Sequence, residues 1–240
     1  MKLLDIIKNN LFIQNFFLKL VSLIPEFLHF TLGKYLAIKK AMYITAHDET
    51  YGSYIEFGVF TGSSFNFAMS VNKKIEKIFN YSNCSFFGFD SFSGFGKTND
   101  YDKHPRFTDK TFSINLQKVL KNIEKKSLGQ KYKIIKGFYN ETLVKKPQDY
   151  EIQKARVILI DCDMKDSAKL ALNFVKNILQ PGTIILFDDY IFYKGSISKG
   201  EYAAFDEFKE ENKNIKFRHA FDYGYGSKAF IVSGIGNQLK

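Results

Sequence analysis

The 240-residue sequence has no tryptophan, only two cysteines and, among 35 basic residues, only three arginines. Cys84 and Cys162 lie in apolar runs and are too few for a disulfide framework, so we expect a protein of the reducing cytoplasm. The scarcity of arginine weakens the nucleic-acid interpretation that a net charge of +10 invites, because base and phosphate recognition favour the planar guanidinium. Lysines scattered along the whole chain are more consistent with a small anionic substrate than with a nucleic-acid partner.

The sequence also lacks a long uninterrupted hydrophobic run. Lys8, Lys19 and Glu26 interrupt the apolar N-terminal segment, so no stretch reaches the roughly 20 residues that a membrane-spanning helix needs. The lack of a small-residue cleavage site argues against a signal peptide. Helical spacing of apolar residues predicts amphipathic helices here, on the evidence of Leu3, Ile6, Ile7, Leu11 and Phe12. We expect residues 1–50 to form a helical cap that packs on the core, with contact to a membrane surface as the alternative.

The cap is expected to be broken at Pro25 and near Gly33. From Tyr54 onward, short apolar runs alternate with helical patterns. The predicted strands are Tyr54–Val59, Ser85–Phe89, Tyr132–Lys136, Arg156–Ile160, Thr183–Phe187, Ile215–Phe221 and Lys228–Val232. The predicted helices are Ser63–Asn80, Ser113–Lys126, Ser167–Leu179 and Glu201–Glu211. This alternation predicts an α/β fold, a doubly wound and mostly parallel seven-stranded sheet formed by one domain over residues 51–240.

In such a sheet, ligands bind outside the carboxyl ends of the strands. After the first predicted strand, Gly58 and Gly62 permit a tight turn, and the following helix start offers N–H groups to a polar ligand. The second strand ends at Asp90, whose carboxylate can accept hydrogen bonds from the two hydroxyls of a ribose. Each feature alone also fits a structural turn or cap, but together they predict an adenosine-containing cofactor. The G-x-G-x-x-G fingerprint of NAD-dependent oxidoreductases is absent, which disfavours that class.

Four carboxylates follow the fourth and fifth predicted strands, namely Asp161, Asp163, Asp188 and Asp189. Like charges packed together cannot all stay ionised without a counter-charge. A bound Mg²⁺, Mn²⁺ or Fe²⁺ would provide one, since these cations take oxygen ligands. The alternative is that Asp163 or Asp166 caps the next helix and that Asp188 is an ordinary strand-end residue. The cluster also argues against a catalytically silent scaffold domain, because unpaired carboxylates would only destabilise it.

Several motifs, in order, resemble those of the macrocin-type sugar O-methyltransferases, a family of class I enzymes that depend on S-adenosylmethionine (SAM). They are IEFGVFTGSS, FDSFSGF, KGFYNETL, LIDCDMKDSAKLAL, PGTIILFDDY and GEYAAFDEF, and they extend over about residues 54–232. The resemblance implies a SAM site formed by Glu56, Gly58, Gly62, Ser64, Asp90, Ser91, Phe138 and Asp161. It also implies divalent-metal ligands at Asp161, Asp188 and Asp189, and a general base at Asp163.

Within this resemblance, residues 95–112 correspond to a mobile lid over the active site. The chain departs from the family pattern at Ser93, Cys162, Lys165 and the pair Ser167-Ala168, and these changes concern the acceptor pocket. The predicted function is therefore metal-dependent methyl transfer from SAM to a sugar hydroxyl. The predicted acceptor is a nucleotide-linked sugar for a bacterial surface or capsular polysaccharide, because Lys103, His104 and Arg106 of the lid suit a negatively charged molecule.

The leading alternative is a metal-dependent methyltransferase of a catechol or another small aromatic diol, which would use the same acidic cluster. A nucleic-acid methyltransferase would need a clustered basic stripe and an aromatic base pocket, and neither is evident in the sequence. We expect a homo-oligomer, a dimer or larger, with the N-terminal helices as a candidate interface.

Overall fold

The computed structural model describes residues 10–79, 84–96, 99, 102–105, 107 and 112–236. Its helices are α1 (Leu11–Ser22), α2 (Glu26–His47), α3 (Ser63–Phe79), α4 (Leu116–Lys126), α5 (Tyr139–Thr142), α6 (Lys165–Val175), α7 (Phe192–Gly195) and α8 (Gly200–Glu211), with 3₁₀ turns at Pro147–Tyr150 and Lys176–Ile178. Its strands are β1 (Ser53–Phe57), β2 (Phe86–Asp90), β3 (Tyr132–Lys136), β4 (Ala155–Ile160), β5 (Ile184–Phe187), β6 (Ile215–Tyr223) and β7 (Ser227–Ile235).

The strands form one seven-stranded sheet in the order β3-β2-β1-β4-β5-β7-β6. Strands β1 to β5 are parallel, whereas β7 runs antiparallel to both β5 and β6. The doubly wound, mostly parallel seven-stranded sheet predicted from the sequence is confirmed. The strand order reverses at β1 and β4, the position at which sheets of this kind open a crevice for a ligand.

Both faces of the sheet are covered by helices. In β4, Val157 and Leu159 pack with α2, α3 and α4, whereas Ile158 and Ile160 pack with α6 and α8. All four side chains are fully buried. Burial on both faces is why these strands are continuous apolar runs in the sequence rather than alternating patterns.

The predicted elements match the observed ones to within a few residues at each end, and some of the differences have clear causes. Strand β1 ends two residues earlier than predicted because the chain turns at Gly58, where φ is +96°. A Cβ at this position would lie 1.8 Å from the carbonyl oxygen of Asp161. Helix α4 begins at Leu116 rather than Ser113 because the side chain of Asn115 caps it by accepting a hydrogen bond from the Lys118 N–H. Asn80, the predicted last residue of α3, lies outside the described residues.

The predicted break at Pro25 is confirmed, since this residue immediately precedes α2. The break predicted near Gly33 is wrong, because α2 continues through it. Gly33 instead permits a close approach to the turn between β6 and β7, since a Cβ here would lie 2.8 Å from the Gly224 nitrogen. The glycine therefore allows two parts of the chain to touch, rather than ending the helix.

The two described N-terminal helices differ in their packing. The C-terminal half of α2 lies in the core through Ala37, Ile38, Ala41, Met42 and Ala46. By contrast, α1 has no buried residue. The expectation that Leu11 and Phe12 pack on the core is wrong, because they are 74% and 81% exposed. Leu3, Ile6 and Ile7 lie outside the described residues. Among the helices that are described, none combines the length and the hydropathy needed to cross a membrane.

A buried arginine joins α2 to the sheet. Arg156 of β4 is fully buried. Its Nε donates to Thr45 Oγ1 at 2.8 Å, its Nη2 to the Met42 carbonyl at 2.6 Å, and its Nη1 to Asn72 Oδ1 of α3 at 3.2 Å. Removing such a buried, hydrogen-bonded cation would leave its partners unsatisfied. Helix α2 is therefore held firmly against the sheet, which matters because it carries a lysine into the site described next.

Candidate active site

A cavity of about 1050 Å³ opens at the carboxyl ends of the parallel strands. Its wall includes eight of the residues that the sequence predicts for the site, which are Gly58, Asp90, Ser91, Phe138, Asp161, Asp163, Asp188 and Asp189. Glu56, Gly62 and Ser64 are not among the described residues that line it. The predicted site residues and the cavity therefore lie at the same edge of the sheet.

Asp90, at the end of β2, organises the turn that follows β1. Its Oδ2 accepts hydrogen bonds from the backbone N–H groups of Val59 at 2.8 Å and Phe60 at 2.7 Å. Its Oδ1 accepts one from the Phe92 N–H at 2.6 Å. Burial raises the pKa of Asp90 even though these hydrogen bonds favour the carboxylate. A carboxylate has about four acceptor positions, so the geometry leaves room for a further donor such as a ligand hydroxyl.

Glu56 and Ser64 lie beneath the same turn. The Glu56 carboxylate is fully buried and accepts hydrogen bonds from the Tyr54 hydroxyl at 2.6 Å and the Ser64 hydroxyl at 2.7 Å. Burial raises the pKa of Glu56 to about 8, although these two hydrogen bonds oppose the shift. Gly62 faces α4 instead of the cavity, since a Cβ there would lie 2.9 Å from Ile123 Cγ1. In this structure the three residues support the turn, and their direct contact with a cofactor stays a prediction.

Backbone pairing brings the predicted metal ligands together. The Asp161 N–H donates to the Phe57 carbonyl at 2.9 Å, and the Asp188 N–H donates to the Ile160 carbonyl at 3.0 Å, so both residues continue the sheet past the strand ends. One carboxylate oxygen from each of Asp161, Asp188 and Asp189 lies within 4.8 Å of the others. We call these three residues the acidic centre.

The donor atoms of the acidic centre fit a hard divalent cation. They are all carboxylate oxygens, the ligands that Mg²⁺ and Mn²⁺ prefer. Asp188 is only 1% exposed, and its Oδ1 has no hydrogen-bond partner among the described residues. An unsatisfied buried carboxylate oxygen is costly, and coordination to a cation would satisfy it.

Asp163, the predicted base, adjoins the acidic centre in a strained backbone conformation. Its φ is +62°, a region that side-chain-bearing residues rarely adopt. Its carboxyl group lies close enough to that of Asp189 for each to affect the pKa of the other. Burial raises the pKa of Asp163 to about 7. A carboxyl group with a pKa near neutrality is suited to take up a proton at physiological pH.

Sequence reasoning did not find Glu201, at the start of α8. This residue is fully buried, and its carboxylate accepts hydrogen bonds from the backbone N–H groups of Cys162 at 3.3 Å and Asp189 at 3.1 Å. Glu201 thus holds the segment after β4 and the segment after β5 in one arrangement. Burial raises its pKa well above the ordinary value. The GEYAAFDEF motif contained the residue, but no pattern in the sequence indicated its partners.

Lys34 of α2 was also not identified as a site residue from the sequence. Its Nζ lies 2.6 Å from Asp161 Oδ2 and 2.7 Å from Asp188 Oδ2. Its side chain is 15% exposed. Burial alone would lower the pKa of Lys34, but attraction to Asp161 and Asp188 outweighs burial and raises it well above the ordinary value. An ammonium group therefore contacts two of the three predicted metal ligands.

Aromatic rings form much of the remaining cavity wall. Phe30 and Tyr225 stack with their ring centroids 6.2 Å apart near Lys34. On the opposite side, Phe138 contacts the loop after β2, where a Cβ on Gly96 would lie 2.9 Å from Phe138 Cε1. In that loop the Ser91 hydroxyl donates to the Gly94 carbonyl at 2.7 Å. The rings offer flat apolar faces to a nucleobase or to the C–H face of a sugar.

Only part of the predicted lid is described. His104 lines the cavity and stacks on Phe107, with ring centroids 4.3 Å apart. Lys103 is described but is not among the lining residues, and Arg106 lies outside the described residues. Among the described lining residues, the basic side chains are those of Lys34 and His104.

Comparisons with known proteins give one family match and several similar solved structures. A family model described as "Macrocin-O-methyltransferase (TylF)" matches residues 26–219 of the chain. Among solved structures, the O-methyltransferase NovP is 16% identical and matches with a TM-score of 0.66 over 84% of this chain and 80% of that chain. No curated protein sequence matches.

A second similar structure is the calicheamicin methyltransferase CalS11, which is 20% identical, with a TM-score of 0.66 over 95% of this chain and 88% of that chain. Its apo form is described as a TDP-rhamnose 3′-O-methyltransferase and matches at 17% identity and a TM-score of 0.57 over 95% and 89% of the two chains. An O-methyltransferase from Bacillus cereus, solved with S-adenosylhomocysteine (SAH), matches at 13% identity and a TM-score of 0.53 over 82% and 81%. At identities of 20% or less, these similarities show that this chain has the class I methyltransferase fold.

Proposed function

This chain belongs to the macrocin O-methyltransferase family and is an O-methyltransferase that depends on SAM, and from that premise we propose its acceptor, its metal and its base. The acceptor is a hydroxyl group of a sugar, most specifically a nucleotide-linked sugar. The metal is a divalent cation in the acidic centre. The base is Asp163.

The observation that carries the proposal is the juxtaposition of two features in one cavity. The glycine turn at Gly58 and the Asp90 carboxylate lie at the ends of β1 and β2, where a nucleoside would bind. The acidic centre lies at the ends of the neighbouring strands β4 and β5. A methyl donor and a metal-bound acceptor would therefore sit side by side, as methyl transfer requires.

Each residue at this edge has a distinct role in the proposed reaction. Gly58, Asp90, Ser91 and Phe138 form the part of the wall that would hold SAM. Asp161, Asp188 and Asp189 would hold the divalent cation, which when bound supplies positive charge that fixes the acceptor and lowers the pKa of its hydroxyl.

The attacking oxygen forms a bond to the methyl carbon as the carbon–sulfur bond of SAM breaks, so the hydroxyl must give up its proton. Asp163 receives this proton, since burial brings its pKa to about 7 and it lies beside the acidic centre.

Two observations support a sugar acceptor. The similar protein CalS11 is described as acting on TDP-rhamnose, and the stacked rings of Phe30 and Tyr225 offer apolar faces on the acceptor side of the cavity. A phosphate-bearing acceptor also needs cations. The net charge of +10 favours such an anionic acceptor.

Three further proposals concern the biological role, the cellular compartment and the oligomeric state. A role in a bacterial surface or capsular polysaccharide has its support in the sequence resemblance and in the basic charge. A reducing cytoplasm fits the two buried cysteines, which are unpaired. The homo-oligomer expected from the sequence stays a prediction.

An acceptor panel tests the proposal. Purified protein with SAM and Mn²⁺ would be offered TDP- and UDP-linked sugars, the corresponding free sugars and catechols, and the products would be analysed by mass spectrometry. We expect a nucleotide-linked sugar to gain one methyl group, with loss of the reaction after chelation of the metal and its recovery on adding Mn²⁺. Methylation of catechols alone would contradict the proposal that the acceptor is a sugar. Full activity after chelation would contradict the proposal that the reaction depends on a metal.

A further inference from the structure

Lys34 occupies an unusual position, because it places a positive charge from an N-terminal helix inside a cluster of strand-end carboxylates. Its two contacts, at 2.6 and 2.7 Å, are the short distances of charge-assisted interactions. Both join it to members of the acidic centre. The same two oxygens, Asp161 Oδ2 and Asp188 Oδ2, belong to carboxylates that a divalent cation would coordinate.

A metal ion and the Lys34 ammonium group cannot both stay next to these carboxylates. Two positive charges held within a few ångströms of each other in a buried site would repel strongly. Asp188 is 1% exposed, so water can do little to screen that repulsion.

The cavity has room for the Lys34 side chain in a position away from Asp161 and Asp188. It lines the cavity of about 1050 Å³, and its flexible four-carbon stem can swing without movement of the helix. Its Nζ is already 5.3 Å from the centroid of the Phe30 ring, a distance at which an aromatic face attracts a cation. Helix α2 itself is held in place by Arg156, so the exchange involves only the side chain.

We propose that Lys34 is the resident counter-ion of the acidic centre and that a divalent cation binds by displacing it. The lysine keeps Asp161 and Asp188 together in the metal-free protein and lowers the affinity for metal, because binding must first break its two contacts. This inference rests on the proposed metal site.

The test is a direct titration of Mn²⁺ into the metal-free protein, followed by calorimetry and by the electron paramagnetic resonance signal of free Mn²⁺. The variant Lys34→Met removes the charge and keeps the stem. We expect it to bind Mn²⁺ at least tenfold more tightly than the wild type. The matched control is Lys39→Met, an exposed position on the same helix, and we expect it to bind like the wild type.

Thermal unfolding gives a second readout that does not depend on turnover. Without metal, Lys34→Met should melt at a lower temperature than the wild type, because Asp161 and Asp188 lose their counter-charge. With saturating Mn²⁺ the variant should gain more stability than the wild type does, by about 1.4 kcal/mol for a tenfold difference in affinity. If Lys34→Met does not fold, Lys34→Arg, which retains a charge, should fold and bind Mn²⁺ no more tightly than the wild type.

The outcomes separate the two claims. Equal Mn²⁺ affinity in the wild type and in Lys34→Met would overturn the displacement and leave the metal site standing, as would tighter binding by Lys34→Arg. Absence of Mn²⁺ binding in both the wild type and Lys34→Met would overturn the metal site and the displacement together. Asp188→Asn should abolish binding in either background, and retained binding in that variant would place the ion elsewhere.

Discussion

Glu56 allows the most quantitative test of the structure, because a fully buried carboxyl group has a large and calculable effect on stability. Replacing it by glutamine keeps the shape of the side chain and an oxygen that can accept a hydrogen bond from Ser64 or Tyr54. The substitution removes the ability to ionise and replaces one of the two acceptor oxygens by an NH₂ group, a change that is the same at every pH.

The expected magnitude follows from the pKa. Burial raises the pKa of Glu56 from 4.5 to about 8 in the folded protein, whereas in the unfolded chain the group should titrate at its ordinary value. Between these two values the folded state binds a proton that the unfolded state has lost, so stability falls as pH rises through this window. At about 1.4 kcal/mol for each pH unit, the loss attributable to Glu56 reaches about 5 kcal/mol as an upper limit, and most of it has accrued by pH 8.

The assay is the free energy of unfolding, measured by denaturant titration of the wild type and Glu56→Gln from pH 5 to pH 9. We expect the free energy of unfolding of the variant to rise steadily relative to that of the wild type as pH rises, by a few kcal/mol over the range. The matched control is Glu124→Gln, the same substitution at an exposed position of α4, which should follow the wild type at every pH. A constant difference between Glu56→Gln and the wild type across the range would refute the buried, proton-binding Glu56 described above.

Three further predictions concern the base, the turn and the buried arginine. Asp163→Asn should lower kcat by about 10²- to 10⁴-fold while the Kd for SAH, measured by calorimetry, stays within about twofold of the wild type, and an unchanged kcat would remove Asp163 from the mechanism. Gly58→Ala should weaken SAH binding by at least tenfold, because its Cβ would lie 1.8 Å from the Asp161 carbonyl oxygen and the turn must open. Arg156→Met should lower the free energy of unfolding by about 3 kcal/mol, because buried hydrogen-bond acceptors lose their donor, and a change below about 0.5 kcal/mol in denaturant titration would contradict the bonding described.

Much of the fold could be predicted because the strands are recognisable locally. Tyr132–Lys136 is predicted and observed with the same bounds, and β4 is an apolar run because it is buried on both faces. Gly33 misled the prediction because a glycine that breaks a helix and a glycine that admits a neighbouring backbone look the same in a sequence. Only the contact with Gly224 distinguishes them.

The strand-end carboxylates could also be predicted, because parallel strands bring their carboxyl ends to one edge. Lys34 and Glu201 could not. Each acts through partners far away in the chain, and the pairing between Lys34 and Asp161 joins residues 127 positions apart. The exposure of α1 was missed for a related reason, since an amphipathic pattern shows that a helix has an apolar face but not what covers it.

The central claim is that the cavity at the ends of β1, β2, β4 and β5 is a SAM site. Calorimetric titration of SAH into the purified protein, with NAD as the comparison ligand, tests it most directly. We predict saturable binding of one SAH per chain, lost or strongly weakened in Gly58→Ala, and no binding of NAD. Failure of SAH to bind to folded protein with Mn²⁺ present, or binding of NAD at the same site, would contradict the account.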